Sequence, residues 1–157
     1  MVTLFEGRMA TRLVRSASID ARFTPYKLSI RQSSIHRWGV FAEELIIAGR
    51  KVIEYTGERL NRLQAKRRDH PQFTYLFAVD TYWTLDGAVG GSGAEIINHS
   101  CEPNLVSRVF KGHVIYMSLR VIEPGEELTV DYSFPKAAGR MECACGTPSC
   151  RGTMNLK

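Results

Sequence analysis

Four cysteines constrain this chain more than any other feature. Cys143, Cys145 and Cys150 form a C-x-C-x4-C cluster, and Cys101 stands apart inside Asn98-His99-Ser100-Cys101-Glu102-Pro103-Asn104. Four thiolates can close a tetrahedral structural zinc site. Such a site ties the C-terminal residues across the chain onto the Asn-His segment, so a functional site is expected at that junction. The other reading of the same residues is two disulfides or idle thiols, although Cys143 and Cys145 stand too close to favour a bond with each other. The N-terminal residues lack the apolar core of a secretory signal. That makes a reducing compartment the default, and there cysteine clusters bind metal more often than they pair.

The chain has 157 residues, enough for one domain with a real core. A hydrophobic share of 44% and a charged share of 24% are ordinary for a globular protein. No apolar run approaches the roughly 18 residues that span a bilayer, so no membrane partner is expected. Residues 1–26 show no period and read as a ragged leader, although the Arg- and Ser-rich stretch from Met9 to Ser16 also has the composition of an organelle transit segment. Net charge is +5, and much of the excess sits between Arg59 and Arg68, where apolar positions recur at helical spacing. This segment predicts a helix with a solvated basic face, a plain surface helix or a place for weak nucleic-acid contact.

From Tyr26 onward the pattern is mostly β. Val40 to Ala42, Lys51 to Tyr55 and Tyr75 to Val79 are β-branched or aromatic runs between turn signals. Leu105 to Phe110 and His113 to Leu119 flank Lys111-Gly112, a two-residue hairpin connection. A second turn at Glu123 to Glu126 leads into a strand over Glu127 to Tyr132. Helix is expected only at 59–68 and, briefly, between Ser92 and Asn98.

Three segments carry chemical signals. Gly87, Gly90, Gly91 and Gly93 crowd one stretch before Asn98, which allows a sharp turn or a close backbone approach but lacks phosphate-loop spacing. Asn98-His99-Ser100-Cys101 puts polar side chains beside a metal-ligand candidate, as a ligand site or a structural polar cluster does. Asp131-Tyr132 closes a strand, where a tyrosine is either a core residue with its hydroxyl at the rim or a positioned catalytic hydroxyl.

With these segments side by side, the chain resembles the SET-domain protein lysine methyltransferases over nearly all of residues 28–157. Ile35 to Ala42 looks like the family's first cofactor segment, and Glu54-Tyr55-Thr56-Gly57-Glu58 like its Y-x-G motif. Ile97 to Asn104 is close to its N-H-S-C-x-P-N signature, and Gly125 to Tyr132 is similar to its G-E-E-L-x-x-D-Y signature. The cysteine tail looks like a post-SET segment. After the leader over 1–26, the resemblance implies a SET domain of small β-sheets over 27–135 and a post-SET zinc segment over 136–157. It also implies a pseudoknot between the Asn98–Asn104 and Tyr132 segments.

The resemblance further implies methyl transfer from S-adenosyl-L-methionine to a substrate lysine. Tyr132 matches the catalytic tyrosine, with Tyr55 and Tyr75 around the reacting groups. His36, Trp38, Gly39, Tyr75, Asn98 and His99 match cofactor contacts, joined by Phe134 and Met154 beside the adenine. Cys101, Cys143, Cys145 and Cys150 match the ligands of one structural zinc ion. The implied partner is a lysine-bearing protein, a histone tail first, in the nucleus on chromatin for a eukaryotic protein and in the cytoplasm for a bacterial one. The alternative is a SET-derived module that binds cofactor or peptide without turnover.

The chain departs from the family pattern at three places. Arg37 stands where a glycine is common, at a cost of order 1 kcal/mol if that position needs φ > 0. Val130 and Ser107 leave volume beside the lysine, so di- and trimethylation are expected to fit. Glu95-Ile96 replaces a more usual Arg-Phe.

Overall fold

The computed structural model describes residues 18–68 and 75–156. The Arg- and Ser-rich stretch at 9–16 lies outside them. Residues 20–24 already bond to the body of the fold: Asp20 N–H donates to Ser92 O (3.0 Å), Glu54 N–H to Phe23 O (3.0 Å) and the Thr24 hydroxyl to Val52 O (2.7 Å).

Among the described residues ten strands follow, in three small sheets. β1 (Leu28–Gln32) and β2 (Trp38–Ala42) form an antiparallel pair. β3 is Lys51–Tyr55, as the β-branched run predicts. β4 (Glu58–Asn61), β5 (Leu76–Ala78) and β6 (Trp83–Asp86) make a three-stranded sheet in the order β4-β6-β5. β7 (Asn98–His99), β8 (Leu105–Phe110), β9 (His113–Ser118) and β10 (Thr129–Val130) join β3 in a sheet ordered β3-β9-β8-β10-β7. The core between the sheets is mostly aliphatic, with Tyr55 and Tyr116 at its cavity end. Val40, Ile46, Val52, Ile53, Val114, Ile122 and Leu128 have no exposed surface.

The expected helix over 59–68 splits in two. Residues through Asn61 pair with β6, and only Arg62–Arg68 is helical (α1). Asn61 marks the change: its Oδ1 accepts from the N–H groups of Leu63 and Gln64 (both 3.0 Å), while Gln64 Oε1 accepts from Asn61 N–H (2.9 Å). This reciprocal cap starts a helix at the next residue. Leu60 is buried in β4 whereas Leu63 is 61% exposed, so the apolar spacing belonged to two elements. The short helix expected between Ser92 and Asn98 is a single 3-10 turn at Ala94–Ile96. No helix among the described residues is long and apolar enough to cross a membrane.

The expected strand over Glu127 to Tyr132 also divides. Residues 126–128 run beside β2, with Ala42 N–H donating to Glu126 O (3.0 Å) and Leu128 N–H to Val40 O (2.7 Å). The chain then enters the five-stranded sheet as β10, parallel to both neighbours, β7 and β8. Those neighbours are joined by residues 100–104, which cross from one side of β10 to the other. Buried Asn104 holds the crossing: its Oδ1 accepts from Thr129 N–H and its Nδ2 donates to Glu127 O, both at 2.8 Å. This threaded centre brings the Asn-His segment, Tyr132 and the cysteine tail to one end of the sheet.

Candidate active site

Two cavities meet at that end. The larger, about 360 Å³, is walled by Ile35, His36, Trp38, Tyr75, Asn98, His99, Tyr132, Phe134, Met154 and residues of the cysteine tail. The smaller, about 160 Å³, is walled by Tyr55, Tyr75, Phe77, Ser107, Tyr116, Val130 and Tyr132. Tyr75, Glu95, Tyr132 and Phe134 belong to both walls.

Asn98 sets the shape of the larger cavity. Its buried amide donates to Trp38 O (2.9 Å) and Glu127 Oε1 (2.8 Å), with His36 O at 3.3 Å and Ser33 Oγ at 3.2 Å close by. One side chain on β7 thus pins the turn that leads into β2. Within that turn Arg37 has φ 43°, the left-handed conformation that the glycine pattern warned of. Gly39 does not line the cavity. A Cβ there would run into Glu127 Oε1 and stand 3.2 Å from the Asn98 amide nitrogen, so the residue clears space for the carboxylate that holds Asn98. Burial, and then the charge of Arg37, lower the pKa of His36 and favour its neutral form.

His99 joins the tail to Tyr132. Its Nδ1 accepts the Tyr132 backbone N–H (3.1 Å), which places its proton on Nε2, 3.5 Å from Cys101 Sγ. Its ring lies 5.4 Å from that of Tyr132, and the Tyr132 ring meets Phe134 edge-on at 5.6 Å. The Tyr132 hydroxyl donates to Ile97 O (2.8 Å). Burial, with Tyr75 and Glu127 nearby, raises its pKa, so it serves as a neutral hydrogen-bonding hydroxyl at ordinary pH. The 39% exposure of Tyr132 accords with its place on both cavity walls.

Tyr55 anchors the smaller cavity. Its hydroxyl donates to Tyr75 O, which fixes the backbone of Tyr75. Its ring is tilted against Phe77 (5.4 Å) and Tyr116 (6.1 Å). Tyr116 and Phe77 were not anticipated as site residues, and Glu95 was noted only as an acidic departure from the family's Arg-Phe. Val114, Tyr116 and Ser118 alternate on the buried face of β9, a visible signal, but the sequence does not say that this face borders a cavity.

The four cysteine sulfurs lie within 4.8 Å of one another, and all four thiols are free. Sulfurs bound tetrahedrally to one zinc at about 2.3 Å stand about 3.8 Å apart, and Cys101 and Cys143 are already at 3.7 Å. Backbone N–H groups of Cys101, Arg151 and Gly152 point at Cys145, Cys101 and Cys150 (3.5, 3.3 and 3.5 Å), as suits thiolate ligands. The donor set therefore fits a structural zinc. Around it, Arg151 grips Asp131 through both nitrogens (2.7 and 2.9 Å), and Phe134 N–H donates to Met154 O (3.1 Å). The cysteine tail is thereby folded over the larger cavity.

A family model described as the SET domain matches residues 37–133, more than half of the chain. The chain is 38% identical over 160 residues to histone-lysine N-methyltransferase TRX1 of Oryza sativa, and 41% identical over 140 residues to histone-lysine N-methyltransferase ATX2 of Arabidopsis thaliana. It is 39% identical over 169 residues to human histone-lysine N-methyltransferase SETD1A. These matches cover 95%, 82% and 96% of this chain but only 16%, 13% and 10% of the relatives. The threaded sheet, the paired cavities and the matched residues agree: the chain belongs to the SET domain family.

Proposed function

We propose that this chain is an S-adenosyl-L-methionine-dependent protein-lysine N-methyltransferase that acts on histone tails. The observation that carries this reading is the pair of cavities meeting at Tyr132 and Tyr75. Two chambers sharing a tyrosine wall are what a transfer between a bound donor and a side-chain acceptor requires. The larger has a volume ordinary for a small-molecule site, with apolar walls and a few fixed polar groups. It fits the methyl donor: Trp38, Phe134 and Met154 offer apolar surface, and His36, Asn98 and His99 offer polar contacts. When bound there, S-adenosyl-L-methionine supplies a methyl group on a cationic sulfur. Relatives named as histone-lysine N-methyltransferases support both the reaction and the substrate class.

The smaller cavity takes the substrate lysine. Its wall of Tyr55, Phe77, Tyr116 and Tyr132 disfavours the charged ammonium, so a lysine held there gives up its proton more readily than in water. The hydroxyl of Tyr132, held by Ile97 O, orients the amine toward the shared wall. Val130 and Ser107 leave room beside that amine, so di- and trimethylation fit. Cys101, Cys143, Cys145 and Cys150 hold a zinc with no part in the chemistry beyond keeping the tail in place. A weak nucleic-acid contact at 59–68 would rest on Arg59, Arg62, Lys66 and Arg67, because Arg68 is engaged by Glu58 (2.8 Å) and Asp86 (2.7 Å).

Incubation with labelled S-adenosyl-L-methionine and a panel of histones and basic proteins tests the reading. Label should enter lysines, and Tyr132→Phe should cut the rate about 100-fold or more, the scale of one oriented hydrogen-bonding group. Wild type that labels nothing beyond Tyr132→Phe sinks the enzyme. Calorimetric titration then decides whether the chain is a binding module. A product series stopping at monomethyl-lysine refutes the wider product range alone.

A further inference from the structure

We propose that Glu95 is a catalytic residue: its carboxylate receives the ε-ammonium of the substrate lysine where the two cavities meet, and takes its proton before methyl transfer. This rests on the methyltransferase reading above and adds a proton acceptor to it. Glu95 lines both cavities. Its carboxyl is held from behind, with Oε2 accepting the Gly93 N–H at 2.9 Å. The glycine-rich stretch is fitted to it. A Cβ on Gly87 would stand 2.6 Å from Glu95 Cβ, and one on Gly91 would stand 2.5 Å from its carboxyl carbon. Real Cβ atoms do not approach so closely, so glycine at both positions leaves room for Glu95, together with the Tyr55 hydroxyl beside Gly87 and the Gly87 carbonyl beside Gly91.

The surroundings suit a base. The titratable groups facing Glu95 are Tyr55 from β3, Tyr75, Tyr116 from β9 and Tyr132, with Asp131 on the smaller wall and His36, Arg37 and His99 on the larger. The field of Glu95 acts on Tyr55, Tyr75 and Tyr116. Burial raises its own pKa, which makes it a better proton acceptor than an ordinary carboxylate. A substrate lysine is a cation in solution, and Glu95 is the carboxylate common to the walls of both cavities. In the step proposed, the ammonium N–H bond breaks and the proton passes to a Glu95 oxygen. The nitrogen lone pair then forms the N–C bond to the methyl group, and the C–S pair leaves with sulfur, which becomes neutral. The product nitrogen keeps the positive charge, and Glu95 returns its proton to water.

The test uses the best histone-panel substrate and the variants Glu95→Gln and Glu95→Asp. At pH 7, kcat/KM should fall about 100-fold in Glu95→Gln, within the usual range for a lost general base. The deficit should shrink as pH rises toward the ordinary lysine pKa of about 10.4. Wild type and Glu95→Asp should lose activity in acid as the carboxylate is protonated, whereas the Glu95→Gln rate should keep rising with pH up to the lysine value, and cofactor affinity by titration should stay within about twofold. A second readout needs no turnover. A buried acid with a raised folded-state pKa costs nothing at pH below its unfolded value, and lowers stability as pH rises through the folded one. Glu95→Gln should therefore match wild type in Tm near pH 4 and equal or exceed it at pH 7. A carboxylate kept only for the fold gives the opposite sign. Unchanged kinetics in Glu95→Gln, a loss confined to cofactor affinity, or a lost cooperative melt overturns the proposal. Wild type that methylates no substrate defeats the methyltransferase reading itself, a different result from an active wild type matched by Glu95→Gln.

Discussion

Arg37 holds a conformation that glycine would hold more cheaply. At φ 43° an L-residue carries a cost of about 1–2 kcal/mol, while glycine gives back up to about 1 kcal/mol through its freer unfolded chain. Arg37→Gly should therefore raise the urea midpoint by the equivalent of about 0.5–1 kcal/mol. A lower midpoint would mean that the contacts of the arginine outweigh its backbone strain. This strain could be foreseen because a glycine pattern speaks about backbone. Asn98 and His99 stand out in a compact run of polar residues, whereas Tyr132 is singled out by the family resemblance, its strand-end position alone leaving a core role open. Tyr116 and Phe77 look like ordinary strand residues, and Glu95 stands out only as a departure from the family's Arg-Phe, until the packing of separate sheets shows what each faces.

Elements specified by their own residues were readable, and elements specified by distant partners were not. Lys111 and Gly112 take φ 49° and 80°, the positive pair that a tight two-residue hairpin demands, and β8 and β9 follow on either side. β3 has the bounds that its β-branched run predicts. By contrast β7 and β10 are too short to show a period, and their pairing is parallel and remote in sequence. Asn104 substitutes for the missing strand length by bonding to the passing backbone. Asn104→Ala leaves Thr129 N–H and Glu127 O without these partners, and should cost about 2–4 kcal/mol in urea unfolding. The loss should be larger than for an exposed asparagine such as Asn61, whose cap is worth about 1 kcal/mol.

Across the whole molecule, the tail and the sheets depend on each other unequally. The mostly aliphatic core lies between the sheets and includes no residue of the tail. The larger cavity, however, takes part of its wall from Met141, Cys143, Cys145 and Met154. Metal analysis should find one zinc per chain. Cys145→Ser should lose it and weaken cofactor binding at least about tenfold, or ~1.4 kcal/mol. The urea transition of the β core should move far less. Loss of the core transition together with the metal would show that tail and core fold as one unit. The cysteine spacing revealed the tie, but only the described contacts of Asp131 and Arg151 show that the tie does not act alone.

The place of β10 between β7 and β8 also has a history in time. A ribosome makes both flanking strands before it makes the strand that separates them. The β8–β9 hairpin can close within microseconds, since its contacts are local. Until Thr129 and Val130 emerge, the seam beside it stays open, with backbone groups bare on a strand edge of the kind that recruits other chains. Newly made protein is therefore most exposed to misassembly in the interval between synthesis of Phe110 and of Val130, and the residue that ends that interval is followed at once by Asp131 and Tyr132.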